Sequence, residues 1–541
     1  MGFLNRFIGN SSEALLMRAS LSKEIYFFGL ILLAVSMPLS KFTMSIAQFM
    51  LVGSWLIGGN LLQKLKRFLT SPITLLFFFV YALHILGVAW SEDTSSAWRD
   101  VRIKMPLLLL PLILSTSPTL SMSRYEWVLR SVAMGVMIST WVSFAVHKGL
   151  IAAEVRDIRD ISIFISHIRL SLLCCITVFI GFWFMNRKGP VLESAIWLIA
   201  SVWLTYFVLL LQSLTAMLIL GVFVAIYMAV IFFRGRMLTI RIVSGSVLLI
   251  CLFGFTRMAY LVYQSYKPKD QMPKETVLEY TSSGRPFVTY LDRTDTENGY
   301  FVWKRINQDE LRQEWNKRSR FQYDGADIKG NKLKFTLIRF ITSKGLDKDS
   351  SAVASLSEFE ITAVESGIAN RFYLDHSGLT SRFHQAVWEY QIYHRSGDPT
   401  GHSITQRLEY WKTGCQIFAN NMLFGVGTGD LQISFDRQYE QNQTKLSKDW
   451  RLRAHNQYIS IAAAFGIFGL ALFFIMLLWP VKEAVRIRDH LYLAFLATAL
   501  ISMISEDTLE TQAGVTFFAF FSALFLFVHP MNRYIRVKKR V

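Results

Sequence analysis

Cysteine is scarce in this chain, which has four in 541 residues. Three of the four stand within apolar runs, and Cys415 stands alone in a polar region. This distribution excludes a disulfide framework and the paired spacing of a zinc site. The sequence also lacks an Asp-x-Asp pair in a clear metal-binding context, a tandem repeat and a low-complexity tract.

Acidic residues are few compared with basic ones. The chain has 39 Asp and Glu against 57 Lys and Arg, a formal net charge of +18. The basic residues stand mostly beside the ends of apolar runs or in one long polar segment, rather than in a stripe typical of nucleic-acid binding. We therefore expect no nucleic-acid partner, and we interpret the excess first as a topology signal and second as affinity for anionic lipid.

Long apolar runs are abundant, and hydrophobic residues make up 52% of the chain. A helix that crosses a bilayer needs about 20 mostly apolar residues. Twelve runs are candidates, and they are centred near Leu32, Leu51, Phe79, Leu110, Val136, Ile176, Ala200, Val222, Leu249, Leu470, Phe495 and Phe520. The sequence thus predicts an all-α polytopic membrane protein with about twelve transmembrane helices. No small-residue cleavage site follows the first run, so we expect it to be retained as a span.

Basic residues follow every second apolar run, which predicts the topology. They are Lys64, Lys66 and Arg67, then Arg124, then Arg187 and Lys188, then Arg234, Arg236 and Arg241, then Lys482, Arg486 and Arg488, and finally the basic residues of 533–540. Because positive residues are retained in the cytoplasm, both termini are predicted to be cytoplasmic. The external segments are then 91–104, 148–162, 264–454 and 505–510.

The long external segment between the ninth and tenth runs has a mixed character. Residues 286–291 and 332–341 carry β-branched and aromatic side chains suited to strands, whereas 308–317 and 355–365 are typical of amphipathic helices. We therefore divide the chain into four parts. They are an N-terminal membrane domain at 1–263, an external α+β insertion at 264–366, an external helical lid at 367–454 and three C-terminal membrane helices at 455–541.

A His-Asn pair, His455 and Asn456, stands at the mouth of the tenth apolar run. Ten residues separate the histidine from Gly466, a small residue that permits close helix packing about three turns deeper. Considered alone, such a histidine is more often an interfacial anchor of a helix end than a catalytic group.

Three segments carry a resemblance by their order and spacing. The first, QRLEYWKTGCQIFANNMLFGVGTGDL, places Arg407 and Trp411 before a glycine turn at 425–429. The second is HNQYISIAAAFGIFG, a histidine, ten residues and a glycine, and the third is EDTLETQAGVTFFAFFSALF at 506–525. Together they resemble the O-antigen ligase and O-antigen polymerase family of bacterial membrane glycosyltransferases.

This resemblance implies transfer of a glycan from undecaprenyl diphosphate to an acceptor hydroxyl on the periplasmic face of the inner membrane, with no nucleotide and no cofactor. A ligase uses a lipid A core sugar as acceptor, whereas a polymerase uses another lipid-linked repeat. We favour a ligase because the insertion offers a surface for a large lipid-anchored acceptor. A transporter of the polyprenyl-linked glycan is the alternative of another class, although the sequence lacks its typical paired halves. A membrane-anchored interaction protein also stays open.

Departure of a lipid diphosphate leaves negative charge that a metal or fixed cations must stabilise. We expect a metal-independent reaction that relies on cations. Arg407 is the first candidate because it lies in the family-like motif, and Arg169 follows because an arginine this near a membrane usually has a function or an ion pair. Arg102, Lys104 and Arg382 are further candidates for binding the donor diphosphate, although snorkelling explains the first two equally well.

His455 is the candidate general base toward the acceptor hydroxyl, or the group that orients it, because an imidazole titrates near neutrality. Asn456, Glu506 and Glu510 are candidate supporting residues. Together with Asp507, the two glutamates stand between the last two runs, where they can orient His455 or pair with the arginines. A purely structural ion-pair role is equally open for each of these carboxylates.

Two features near the motifs qualify the resemblance. The turn at 425–429 is predicted to be a tight corner that returns the chain to the membrane, in preference to a phosphate cradle. The family commonly has Ser-Arg at the external junction of two spans, where this chain has Ser213 and Leu214. The chain would then lack one family arginine, and Arg169 or a loop arginine would have to supply its charge.

Overall fold

The computed structural model describes residues 2–155, 157–187, 189–235, 237–275, 278–376 and 378–529, with side chains from residue 17 onward. The basic positions Lys188, Arg236 and 533–540, which entered the topology prediction, lie outside the described residues. The chain divides into two compact units. One comprises Met1–Phe223 with Glu389–Val541, and the other comprises Val224–Trp388.

Helices dominate the described chain. The N-terminal half contains α1 Gly2–Ser36, α2 Lys41–Ile57, α3 Leu61–Thr70, α4 Pro72–Leu86, α5 Thr94–Ile103, α6 Pro106–Thr116, α7 Met122–His147, α8 His167–Met185, α9 Val191–Leu210, α10 Leu214–Arg234 and α11 Leu238–Tyr266. Two short strands follow, β1 Thr296–Glu297 and β2 Tyr300–Phe301. The remaining helices are α12 Gln308–Arg318, α13 Leu333–Ser343, α14 Ser350–Ala354, α15 Glu358–Glu365, α16 Phe372–Asp375, α17 Leu379–Ser396, α18 Ser403–Asn420, α19 Leu431–Gln441, α20 Gln457–Ile487, α21 His490–Ser505 and α22 Gln512–Ala523.

Every one of the twelve predicted apolar runs falls within a helix. Among the described residues, eight helices are long and apolar enough to cross a membrane, or nine if α2 and α3, which are bent by 112°, count as one broken span. The other three runs form α6, α21 and α22, which are shorter. The protein is therefore a mostly helical, polytopic membrane protein.

The last apolar helix, α22, forms the centre of the first unit. All its residues from Ala513 onward are buried, and so are those of the π-helical turn Leu524–Val528 that continues it. A helix that is apolar on every side is stable only when other helices surround it. Phe495 of α21 packs its ring against those of Phe517 and Phe521, with centroids 5.9 and 5.7 Å apart. The segment that precedes α22 is thereby fixed at the end of the bundle.

Helix α20 begins with a cap and contains a kink. The side chain of Asn456 accepts hydrogen bonds from the amides of Tyr458 and Ile459, at 3.0 and 3.1 Å, and so caps the helix. Gly466 has φ 65°, outside the helical region, and its Cα lies against the backbone of Leu423. The predicted close approach at Gly466 is thus present, but the chain that approaches is a loop backbone rather than a second helix.

The second unit contains the insertion, which has its own small core around Trp315, Leu337 and Phe340. The predicted helices at 308–317 and 355–365 are confirmed by α12 and α15. The predicted strand at 332–341 is wrong, because those residues form α13, and 286–291 makes only isolated bridges. The insertion is therefore mostly helical rather than α+β, with one two-residue hairpin, β1 and β2.

The strand prediction at 332–341 is wrong because it rests on the β-branched residues of this segment and not on the spacing of its buried residues. In α13, Leu333, Leu337 and Ile341 are buried at intervals of four residues. That interval places them on one face of a helix, whereas a strand would alternate buried and exposed positions. The buried face packs against the rest of the second unit's core.

Candidate active site

Several helix ends of the first unit converge on the connection between α21 and α22. Arg169, near the start of α8, donates a hydrogen bond to the Thr511 hydroxyl. Thr215, at the start of α10, bonds the Ser505 hydroxyl at 3.0 Å. Arg407 of α18 donates from Nε to the Ser505 carbonyl oxygen at 3.3 Å. The residues between α21 and α22 therefore contact three separate parts of the chain.

Arg407 forms an ion pair with Glu506. One guanidinium nitrogen lies 3.3 Å from Oε1 of the carboxylate, and the two side chains are 29% and 22% exposed. Burial raises the pKa of Glu506, although the charges of Arg407 and His455 act in the opposite direction. The partial exposure leaves a cation and a carboxylate accessible at the end of the bundle.

His455 lies beside this pair in an unusual backbone conformation. Its φ is 46°, in the left-handed region that few non-glycine residues adopt. Its amide donates to Oδ2 of Asp507 at 2.9 Å, and its ring centroid lies 5.7 Å from that of Tyr410. Burial lowers the pKa of His455, the Glu506 charge raises it and the Arg407 charge lowers it. The lowered pKa favours the neutral imidazole, which is the form that can accept a proton.

Asp507 holds the start of α20 against the α21–α22 connection. Its Oδ1 accepts a hydrogen bond from the Ser460 hydroxyl at 2.7 Å, and its Oδ2 accepts the hydrogen bond of the His455 amide described above. Burial, and then the charge of Glu510, raise the pKa of Asp507 to about 6. Asp507 thus fixes the backbone of His455, while the His455 ring stays half-buried.

A buried charge network lies next to Asp507. Glu510 accepts hydrogen bonds from Lys104 at 3.0 Å and from Arg453 at 3.1 Å. Asp100 lies 3.7 Å from Lys104 and 3.5 Å from Arg453. Burial raises the pKa of Glu510, but Lys104 and Arg453 outweigh it and hold that pKa well below its ordinary value. Two cations and two carboxylates are thus mutually paired.

The glycine turn is a tight corner. The amides of Val426 and Gly427 donate to the carbonyl oxygens of Ala463 and Ala464, and that of Gly429 donates to the Ser91 hydroxyl. Because these amides already donate within the protein, the turn does not offer them to a phosphate. The corner instead fastens the loop to α20 just before its kink.

A cleft extends from Arg169 between apolar side chains. It is narrow, with a cavity volume of about 30 Å³, and its polar lining comes from Arg169, Glu506 and Thr508. Leu172 and Phe517 are among the apolar residues of its wall. The cleft thus joins a charged end, formed by Arg169 and Glu506, to an apolar wall.

The predicted site residues fall into distinct groups. Arg407, His455, Glu506 and Arg169 come together at the end of the bundle, as described above. Lys104 and Glu510 lie in the buried network, where Lys104 is only 2% exposed, so the geometry favours a structural role for that lysine. Asn456 caps α20 through its side chain.

Two predicted arginines lie elsewhere. Arg102 is exposed on α5, and its guanidinium has no hydrogen bond or ion pair within the described part of the chain. Arg382 belongs to the second unit, where it donates to the side chain of Gln385 at 2.8 Å. Leu214 stands where the resemblance predicts an arginine. It is the first residue of α10 and directly precedes Thr215.

Arg453 and Asp100 belong to the buried charge network but are not among the predicted site residues. Arg453 pairs with Asp100 and with Glu510, both far away in the sequence, so no local spacing could reveal these contacts. One signal was available for Asp100, because it precedes Lys104 by four residues on one helix. The described side chains include no group of three or more His, Cys, Asp or Glu that is arranged to hold a metal ion.

The fold and the site together define a polytopic membrane enzyme with a cationic, histidine-containing site at one end of its helix bundle. The sequence model of the O-antigen ligase family matches residues 199–474, just over half of the chain, and the match includes Arg407, the glycine turn and His455. The chain belongs to the O-antigen ligase family, and it is a membrane glycosyltransferase of the O-antigen ligase or polymerase type. No curated protein matches the chain.

Proposed function

We propose that this protein is an O-antigen ligase that moves a glycan from undecaprenyl diphosphate to a hydroxyl of a lipid A core sugar. The observation that carries the proposal is the convergence of Arg407, Glu506 and His455 at one end of the bundle, beside the cleft of Arg169. Family membership supports the class of reaction. The site supplies a neutral imidazole and accessible cations within one small region.

In the proposed reaction, the acceptor oxygen attacks the anomeric carbon of the donor glycan. The bond between that carbon and the diphosphate oxygen breaks, and the lipid diphosphate leaves with the electron pair. His455 takes the proton of the acceptor hydroxyl, while Arg407 and Arg169 stabilise the negative charge of the departing diphosphate. Glu506 holds Arg407 in position, and Asp507 holds His455. Arg102 and Arg382 remain candidate contacts to the donor, and no metal or cofactor is required.

We further propose twelve spans with both termini in the cytoplasm of a bacterium and the site on the periplasmic side of the inner membrane. The contacts support this arrangement. The start of α8, the start of α10, the start of α20 and the α21–α22 connection all meet at the site, and the alternation of twelve spans assigns these ends to the same side. Residues 264–366 and 367–454 would then be a periplasmic insertion and a periplasmic lid.

The site assignment is tested by two conservative variants in a reconstituted transfer assay. His455→Asn suits the left-handed backbone better than alanine does, because asparagine tolerates positive φ. We expect it to lower the rate by about 10²–10⁴-fold through loss of the base. Arg407→Gln should lower the rate by about 10²-fold through loss of charge stabilisation.

Lys412→Ala is the matched control, because Lys412 is an exposed cation on the same helix as Arg407. It should retain wild-type activity. Wild-type rates for His455→Asn and Arg407→Gln would contradict the site assignment, and strict dependence on a divalent ion, revealed by a chelator, would contradict the metal-independent reaction.

The acceptor is tested by deleting the gene and examining the surface glycans on gels. A ligase defect leaves bare lipid A core, with polymer accumulated on the carrier lipid. A core that carries a single repeat would instead indicate a polymerase, and unchanged surface glycans would contradict both.

A further inference from the structure

A second polar pocket lies at the opposite end of α2 from the candidate active site. Near the start of α2, Ser45 accepts a hydrogen bond from Gln512, at the beginning of α22. The last turn of α2, at Ser54 and Gly58, lines a pocket with a cavity volume of about 160 Å³. Residues of α1, α3 and the end of α6 complete its wall. The pocket is therefore distinct from the site of Arg407 and His455.

The charge of this pocket is entirely positive. Lys23, Lys64 and Arg67 line it, and no Asp or Glu is among its described lining residues. Lys64 donates to the Trp55 carbonyl oxygen and lies 5.1 Å from the centroid of the Trp55 ring, which orders its ammonium group without neutralising it. Like charges that share a pocket repel one another unless an anion lies between them.

A buried hydroxyl also lines the pocket. Tyr26 is 3% exposed, and its hydroxyl has no hydrogen-bond partner among the described residues. A buried polar group without a partner costs free energy, so a native protein usually satisfies it. An anionic oxygen in the pocket would accept the hydrogen bond of Tyr26 and reduce the repulsion among the three cations.

Helix α3 places this pocket at a membrane surface. It is bent by 112° from α2, which is typical of a helix that leaves the bilayer and lies along its surface. Leu61, Leu62, Leu65 and Leu69 are exposed on α3, whereas Lys64 and Arg67 line the pocket. The exposed leucines suit insertion among acyl chains, and the cations are then at the depth of the lipid phosphates.

We propose that this pocket binds the phosphate of an anionic phospholipid, held by Lys64, Arg67, Lys23 and the hydroxyl of Tyr26. The lipid joins α1, α2, α3 and α6 at the face of the membrane opposite to the active site. We choose a lipid rather than free phosphate as the ligand because the exposed leucines of α3 belong to the same helix as Lys64 and Arg67 and would contact its acyl chains.

The test is native mass spectrometry of the full-length protein released from nanodiscs that contain either phosphatidylglycerol or phosphatidylcholine. Wild-type protein should retain phosphatidylglycerol and not phosphatidylcholine. Removing one cation next to an anionic headgroup should weaken retention about fivefold. Lys64→Gln and Arg67→Gln should each do so, and Tyr26→Phe should also weaken retention.

Lys66→Gln is the matched control, because Lys66 is exposed on the same helix and is not among the lining residues. It should retain phosphatidylglycerol as wild type does. Equal retention of the two lipids by wild-type protein would overturn the proposal without any variant. Unchanged retention in Lys64→Gln and Arg67→Gln would also overturn it, and displacement of the lipid by millimolar inorganic phosphate would overturn the choice of a lipid.

Discussion

The protonation state of His455 decides whether it can act as a base. Burial lowers its pKa below the ordinary value of 6.5, so the neutral form persists to a more acidic pH than for a free histidine. Glu506 opposes this shift with its negative charge, and Arg407 adds to it. Burial and two opposite charges together therefore favour the neutral form of His455, the form that the proposed base requires.

This balance predicts the pH profile of transfer. The acidic limb should lie below the ordinary histidine pKa, because protonation removes the base. Glu506→Gln removes the charge that raises the pKa of His455, so the limb should move to lower pH even as the maximal rate falls. Glu92→Gln, at an exposed carboxylate paired with Arg437, should leave the limb in place. A limb that moves to higher pH in Glu506→Gln would contradict this account of His455.

At the scale of elements, the glycine turn packs its backbone against the backbone of α20 at the kink. Gly425 and Gly466 both have positive φ, and a Cβ on either would overlap backbone atoms of the other segment. Two backbones therefore meet where no side chain fits. The kink follows from this contact, because residue 466 leaves the helical region while hydrogen bonds to the turn replace those of the helix.

We expect Gly425→Ala and Gly466→Ala each to lower the free energy of unfolding by about 1–3 kcal/mol from backbone strain alone, and overlap should add to that cost. Gly53→Ala is the control, since Gly53 lies in α2 with open space around its Cα, and alanine favours a helix. Thermal unfolding in detergent should show lower midpoints for the first two variants and an unchanged or higher midpoint for the control. Wild-type midpoints at both sites would refute the close contact.

The helices were predictable from the sequence where a long apolar run was the dominant signal. All twelve apolar runs lie in helices because length and hydrophobicity alone specify a buried or lipid-facing helix. The prediction is wrong at 332–341, where the β-branched residues favour a strand but the four-residue spacing of the buried residues favours a helix, and the segment forms α13. The bend between α2 and α3 could not be foreseen either, because it depends on how α3 packs.

The candidate site was predictable only in part, for a similar reason. Arg407 and His455 each lie in a recognisable motif, so they could be proposed before their proximity was known. The roles of Lys104 and Arg453 depend on Glu510, and Lys104 is 406 positions from it in the sequence. Contacts of that kind follow from helix packing and leave no trace in local spacing.

At the scale of the whole molecule, the buried network connects parts of the chain that are distant in sequence. Asp100 and Lys104 come from α5 and its end, Arg453 precedes α20, and Glu510 precedes α22. A buried charge is expensive when unpaired, whereas the balanced set of two cations and two carboxylates satisfies itself. The network therefore favours one arrangement of these segments over others.

Removing one charge from the buried network should show whether its members stabilise one another. Glu510→Gln leaves Lys104 and Arg453 facing Asp100 alone, and we expect a loss of about 3–5 kcal/mol because a buried cation loses its partner. The double variant Lys104→Met with Glu510→Gln restores one cation to one carboxylate, so it should recover part of that loss. Thermal unfolding in detergent at about pH 8 compares wild type, both single variants and the double variant as a double-mutant cycle.

The direction of the pKa shift of Glu510 determines the pH at which wild type and the variants should be compared. The pKa of Glu510 is lowered in the folded protein, so its stabilisation is complete above the ordinary value of 4.5 and is lost as the pH falls through the lower, folded value. Because Asp507 has a pKa of about 6 and senses the charge of Glu510, the difference between wild type and Glu510→Gln should be the same at about pH 8 as at about pH 9, where Asp507 is ionised, and that part of it due to Glu510 itself should be lost only in strong acid. Additive effects of the two single substitutions would mean that Lys104 and Glu510 do not stabilise each other, and that other packing holds these segments together.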